Sequence, residues 1–184
     1  MNSLRMAVLF SGMMISLISL STALADPPPG TPRVQLSDKH AATSLVKVGD
    51  ELPDMELTDA KGAAAKLSEL RGKKPAIVAF WKGTHHSRKE MMDDLSQFAK
   101  ERGDKLLIAT VQVGAAPAKP VAAAPAVQQL VDAKGTAYAA VAKGDAKMPR
   151  IFVVDAKGAI IWMDIEFAVD TRRQLVQVLN ALLP

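Results

Sequence analysis

The chain has 184 residues, of which 23 are Lys or Arg, 19 Asp or Glu, 3 His and none Cys. Without cysteine it has no disulfide, no thiolate metal ligand, no thiol nucleophile and no dithiol redox couple. A net charge of +4, with 5 Phe, 2 Trp and 1 Tyr, gives neither the basic density nor the aromatic platform of a nucleic-acid binder.

The first 25 residues read as an address. Arg5 precedes a nearly uninterrupted apolar stretch from Met6 to Leu20, and Ala23-Leu24-Ala25 offers the small-x-small pattern of signal peptidase. Cleavage is expected after Ala25, leaving a periplasmic or secreted protein whose only dealing with a membrane is through that segment. Residues 26–47 are Pro-rich and polar without a sustained period, and read as a flexible arm. One domain is expected over 48–184. Met55-Glu56-Leu57 alternates, and Leu67 to Leu70 suits a helical turn. Pro75 to Phe80 and Leu106 to Val113 are short apolar runs of buried-strand type. Between them, Met91, Leu95 and Phe98 recur at helical spacing, and Gly103 closes a helix from Ser87 to Arg102.

Residues 115–126 are a low-complexity insert with Pro117, Pro120 and Pro125. Val127 to Ala133 is expected to be a short helix, and 136–147 fits helix and strand equally. Ile151 to Val154 and Ala159 to Met163 form a strand pair around Asp155-Ala156-Lys157-Gly158, and Arg172 to Leu183 an amphipathic helix. The tetrapeptide DAKG starts at Asp59, Asp132 and Asp155 with no common period, so it is reused turn chemistry and not a repeat.

The order of elements, strand–helix–strand–helix–hairpin–helix, resembles the thioredoxin-like superfamily, and particular residues sharpen the resemblance. Val48-Gly49-Asp50-Glu51-Leu52-Pro53-Asp54 resembles the V-G-x-x-a-P-D-F opening of redoxin and TlpA/ResA-like domains. Leu67-Ser68-Glu69-Leu70-Arg71-Gly72-Lys73 resembles their L-S-D-L-K-G-K, and Val78-Ala79-Phe80-Trp81 their V-N-F-W. Arg88-Lys89-Glu90-Met91 is similar to the R-K-E-M after their C-P-P-C, and Met148-Pro149-Arg150-Ile151-Phe152 to their x-P-T-x-F. The resemblance implies an α/β thioredoxin-like fold: a central mixed sheet flanked by helices, a C-terminal helix, and a cis proline at Pro149 beside the redox motif.

The redox motif itself is missing. Where the family carries two cysteines this chain has Lys82-Gly83-Thr84-His85-His86-Ser87. Aligned on Arg88-Lys89-Glu90, the family cysteines fall on Thr84 and Ser87. Aligned on Phe80-Trp81, they fall on His85 and Arg88. The first register keeps the helix start and is preferred. In either, thiol–disulfide exchange and peroxide reduction have no thiolate to run on.

The remaining residues divide among three readings. Ser87 with Glu90 fits a capping box better than a nucleophile, since no acid is placed behind His85 or His86 to orient a base. His85 and His86 suit zinc or copper, with Met148 as a soft third ligand and His40 in the arm. Met91 and Met92 are helix core residues, and Trp162 packs within the hairpin. Trp81, Thr84, His85, His86, Met148 and Pro149 are expected to line a groove where a partner peptide adds beside the proline loop. The reading is an exported, redox-inactive thioredoxin-like protein that binds a protein or peptide partner and needs no cofactor. A metal-binding protein using His85 and His86 is the alternative, and a non-thiol enzyme stands behind both.

Overall fold

The computed structural model describes residues 26–83, 86–115, 121–144 and 146–183. The signal-peptide reading of residues 1–25 lies outside them. Among the described residues no helix is long and apolar enough to cross a membrane.

The fold is organised on one strand. β3 (Ala76–Trp81) is buried at all six positions. It pairs in parallel with β4 (Leu107–Val113) and antiparallel with β6 (Arg150–Val154). Side chains alternate across a strand, so a run apolar at every position needs cover on both faces. Ala76, Val78 and Phe80 enter one core layer, with Tyr138, Val141 and Phe152. Ile77, Ala79 and Trp81 enter the other, with Met91, Leu95 and Trp162. The second layer is roofed by α3 (Arg88–Arg102) and α5 (Val169–Leu182). α3 buries Met91, Met92, Leu95 and Phe98, and α5 buries Leu175, Val178 and Leu179. The whole is a mixed seven-stranded sheet in the order β2-β1-β5-β4-β3-β6-β7. Its outer strands are β1 (Glu56–Asp59), β2 (Ala64–Lys66), β5 (Val127–Asp132) and β7 (Ile160–Ile165). The short helices α2 (Leu67–Arg71) and α4 (Thr136–Ala139) complete the thioredoxin-like fold, together with α1 (Asp38–Ala42) in the N-terminal segment.

Two expectations are corrected and one left open is resolved. Val127–Asp132 is a strand, parallel to β4, and not a helix. Two parallel neighbours require a crossover of about a dozen residues, and 114–126 supplies it. Residues 116–120 of that insert lie outside the described residues. The part that follows packs Val121, Ala123 and Ala124 against the α3 layer, and the Ala124 amide donates to Ser96 Oγ at 2.9 Å. Residues 136–147, open between helix and strand, begin as α4. Residues 26–47 are docked on the domain. Val34 and Leu36 pack against the core, Val46 is buried within it, and the Leu45 amide donates to the Val141 carbonyl at 3.0 Å. The reason is invisible to periodicity. The docking partner is a buried arginine over a hundred positions later in the chain, whose guanidinium takes Thr43 and Ser44 as acceptors.

The three DAKG sites do make one turn. In each, the Gly amide donates to the Asp carbonyl, at 3.0, 3.2 and 3.1 Å for Gly62, Gly135 and Gly158. In each the Gly has positive φ (86°, 73° and 101°), which L side chains adopt at a cost. The Asp59 carboxylate accepts from the Lys61 and Ala63 amides, both at 2.8 Å. Asp155 accepts from Lys157, Gly158 and Ala159 at 2.8, 2.9 and 3.0 Å. Asp132 instead reaches forward to the Tyr138 amide, at 2.8 Å, and anchors α4. Replacing Asp155 with Ala removes one acceptor from three amides and is expected to cost about 1–3 kcal/mol. Asp155→Asn, which keeps Oδ1, should cost less. Urea unfolding of the two variants gives the comparison, and equal midpoints would show that the side chain does not hold the turn.

Candidate functional site

The segment joining β3 to α3 is where the resemblance places the missing cysteines. Thr84 and His85 lie outside the described residues, so the Thr84 position of the preferred register and one arm of the histidine pair are not placed. Ser87 is buried at the N-cap of α3, and its carbonyl accepts from the Met91 amide at 3.0 Å. Its side chain makes no cap hydrogen bond to the helix, which corrects the expected capping box with Glu90. A capping side chain requires extended backbone at the cap residue. Ser87 has φ −81° and ψ 8°, almost helical, so its hydroxyl does not address the first-turn amides.

Trp81 is likewise corrected. It is 3% exposed and belongs to the α3 layer, with Ile77 and Ala79. The Arg88 guanidinium lies 5.7 Å from the ring centroid, and its Nη1 donates to the Gly83 carbonyl at 2.7 Å. Met148 packs against the opposite layer. The two residues are therefore separated by the sheet, as the strand period of two requires, and Trp81 does not share a groove with Met148. The position of opposite parity, Lys82, is the one that reaches the site.

On that side an open cavity of about 650 Å³ lies between the end of β3, α4 and the proline loop. Lys82, His86, Tyr138, Ala139, Ala142 and Met148 are among its walls. The Met148–Pro149 peptide bond is cis. Among the described residues neither the Met148 amide nor its carbonyl has a hydrogen-bond partner. The loop around it is pinned from three sides. Beneath, the Tyr138 hydroxyl lies 2.9 Å from the Ala146 carbonyl and 3.1 Å from that of Lys147, and donates to them. Burial pushes the Tyr138 phenol up, against the lowering effect of the neighbouring Arg150 cation, so it stays a donor. Beside the loop, the Glu166 amide donates to the Pro149 carbonyl at 2.8 Å, and the Glu166 carboxylate meets Lys147 Nζ at 2.6 Å and His40 Nε2 at 3.8 Å. Glu166 does this at φ 67°, a left-handed conformation that costs a non-glycine residue. Behind the loop, Arg150 is 0% exposed. Its Nη1 donates to Ser44 Oγ at 2.7 Å and its Nη2 to Thr43 Oγ1 at 2.8 Å, and its Nε has no partner.

Tyr138, Arg150 and Glu166 were not singled out from sequence. Arg150 carried a signal, because it replaces the threonine of the family's x-P-T-x-F at the head of a wholly apolar strand. Tyr138 and Glu166 carried none. His40 sits against Glu166, and among the described residues no group of three or more His, Asp or Glu is placed to hold a metal ion. A second cleft, of about 280 Å³, lies between α3 and the start of α5. There Asp94 pairs with Arg172 at 3.1 Å, and burial pushes its carboxyl up against the lowering effect of that cation.

Comparison with known proteins agrees with this architecture. The Redoxin family profile matches residues 47–179, most of the chain, and the protein belongs to that family. A search of curated proteins finds no match. Among solved structures, the chain is similar to a Bacteroides thetaiotaomicron protein provisionally described as a protein disulfide isomerase. The TM-score is 0.64 at 20% identity, over 77% of this chain and 92% of that one. It is also similar to the pneumococcal exposed lipoprotein thioredoxin Etrx1 of Streptococcus pneumoniae, with TM-score 0.53 at 22% identity over 71% and 100%. A secreted Mycobacterium tuberculosis disulfide oxidoreductase follows, with TM-score 0.52 at 20% identity over 70% and 96%. At these identities the likeness is one of fold. The Redoxin domain of this chain has no cysteine.

The pinning of the loop gives a measurable expectation. Tyr138→Phe leaves the Ala146 carbonyl without its donor and should cost about 1–3 kcal/mol in chemical denaturation. It should also speed amide exchange in 146–148 relative to the rest of the domain. Unchanged exchange there would show that the hydroxyl does not restrain the loop.

Proposed function

We propose that this protein is an exported, redox-inactive Redoxin domain that binds an extended segment of a protein partner in the cavity beside the Met148–Pro149 bond. The observation that carries the reading is the amide and carbonyl of Met148 beside that cavity, which have no hydrogen-bond partner among the described residues. Unpaired backbone groups held in place by a rigid surround offer a strand-like segment two main-chain hydrogen bonds, while the cavity takes one of its side chains. The held loop also lowers the ordering cost of binding. Thiol exchange has no part in it, since no thiol exists. Export is supported by the apolar stretch from Met6 to Leu20 followed by Ala23-Leu24-Ala25, and by the secreted and surface-exposed character of two proteins that share the fold.

Titration of labelled protein with a positional-scanning pentapeptide library should give saturable amide shifts at Lys82, Ala139 and Met148. Ala139→Trp, an exposed position on α4 that would fill the cavity, should abolish those shifts and leave the unfolding midpoint unchanged. Absence of saturable shifts, or their survival in Ala139→Trp, would remove the groove reading. For export, N-terminal sequencing of the protein from a periplasmic or culture fraction should begin at Asp26. A cytoplasmic protein beginning at Met1 would contradict it.

A further inference from the structure

Among the described residues, the formal charge in the cavity wall is positive. Lys82 is part of its wall, and the described lining residues include no Asp or Glu. Lys134 directly precedes the lining residue Gly135, and Lys143 stands between the lining residues Ala142 and Gly144. All three lysines are exposed, and among the described residues none forms an ion pair. Among the described residues two lysines form ion pairs. Lys147, next along the same loop, is held by Glu166 at 2.6 Å, and Lys89 by Asp93 at 2.6 Å. Asp145, the one acid in this stretch of sequence, lies outside the described residues. The cavity wall is mixed: Val113, Ala142, Met148 and the ring of Tyr138 give it apolar surface, and Lys82 and His86 give it polar surface.

We infer that the partner segment is acidic: an extended stretch with one apolar side chain for the cavity, flanked by Asp or Glu that meet Lys82, Lys134 and Lys143. This rests on the groove reading above and adds the chemistry of what the groove selects. Unpaired cations around an apolar pocket act mainly on selection and encounter. They favour an oppositely charged segment, repel a basic one, and lose that preference as salt screens them over about 8–10 Å.

Three blocked pentapeptides with a central leucine, flanked on each side by two glutamates, two serines or two lysines, test the inference by calorimetry and by amide shifts at Met148. In 20 mM salt the glutamate peptide should bind at least tenfold tighter than the lysine peptide, with the serine peptide between them. In 0.5 M salt the three should converge. The double variant Lys82→Glu with Lys143→Glu should reverse the order and leave the unfolding midpoint within error of the parent. Equal binding of all three at low salt, or an order that survives in the double variant, overturns the acidic selection while leaving the groove in place. If the pentapeptide library also fails to bind, the groove reading fails first and takes this inference with it.

Discussion

The constraint on which everything else hangs is the double burial of β3. A strand with no solvent-facing position must be hydrogen-bonded on both edges and packed on both faces, so two core layers and a flanking strand on each side follow from six residues. Its two-residue period also decides how the chain leaves it. Odd positions enter the α3 layer and even positions the α4 layer, and the next even position, Lys82, emerges at the cavity. The site's first cation is placed by the register of the core.

What the sequence discloses is limited to what local pattern encodes. β3, β4, β6, β7 and α3 were legible because apolar runs, helical spacing and glycine stops are local signals. The shared turn at three DAKG sites was legible for the same reason. Val127–Asp132 was misread because six residues with two adjacent glutamines have no decisive period. Pairing with β4 across a crossover made them a strand. Trp81 was misassigned despite a usable signal. Counting parity from Ile77 would have sent it into the core, away from Met148. Ser87 illustrates a subtler limit. The S-x-x-E pattern is present, but capping depends on ψ, and ψ is set by how the preceding loop enters the helix.

The proline loop is held in place without any cysteine. None of its restraints involves sulfur. A phenol below, a strained glutamate beside and a guanidinium behind hold it. These come from α4, from the residue after β7 and from β6, so three parts of the fold agree on one loop position. No residue of the β3–α3 segment, where the family motif would sit, is among these restraints. A loop fixed in this way has little ordering left to undergo, whatever meets it.

Arg150 gives the N-terminal segment an importance that the family boundary does not convey. The Redoxin match begins at residue 47, whereas the guanidinium at the centre of the proline loop's support spends its two Nη groups on Thr43 and Ser44. A buried cation that loses its acceptors is far costlier than a hydroxyl that loses its donor. The packed domain thus includes residues ahead of the family match. A fragment trimmed to the profile would carry an open-ended charge in its interior, and it would also lose the Ser44–Ala142 bridge and the Thr43 carbonyl that accepts from the Lys143 amide, both beside the cavity.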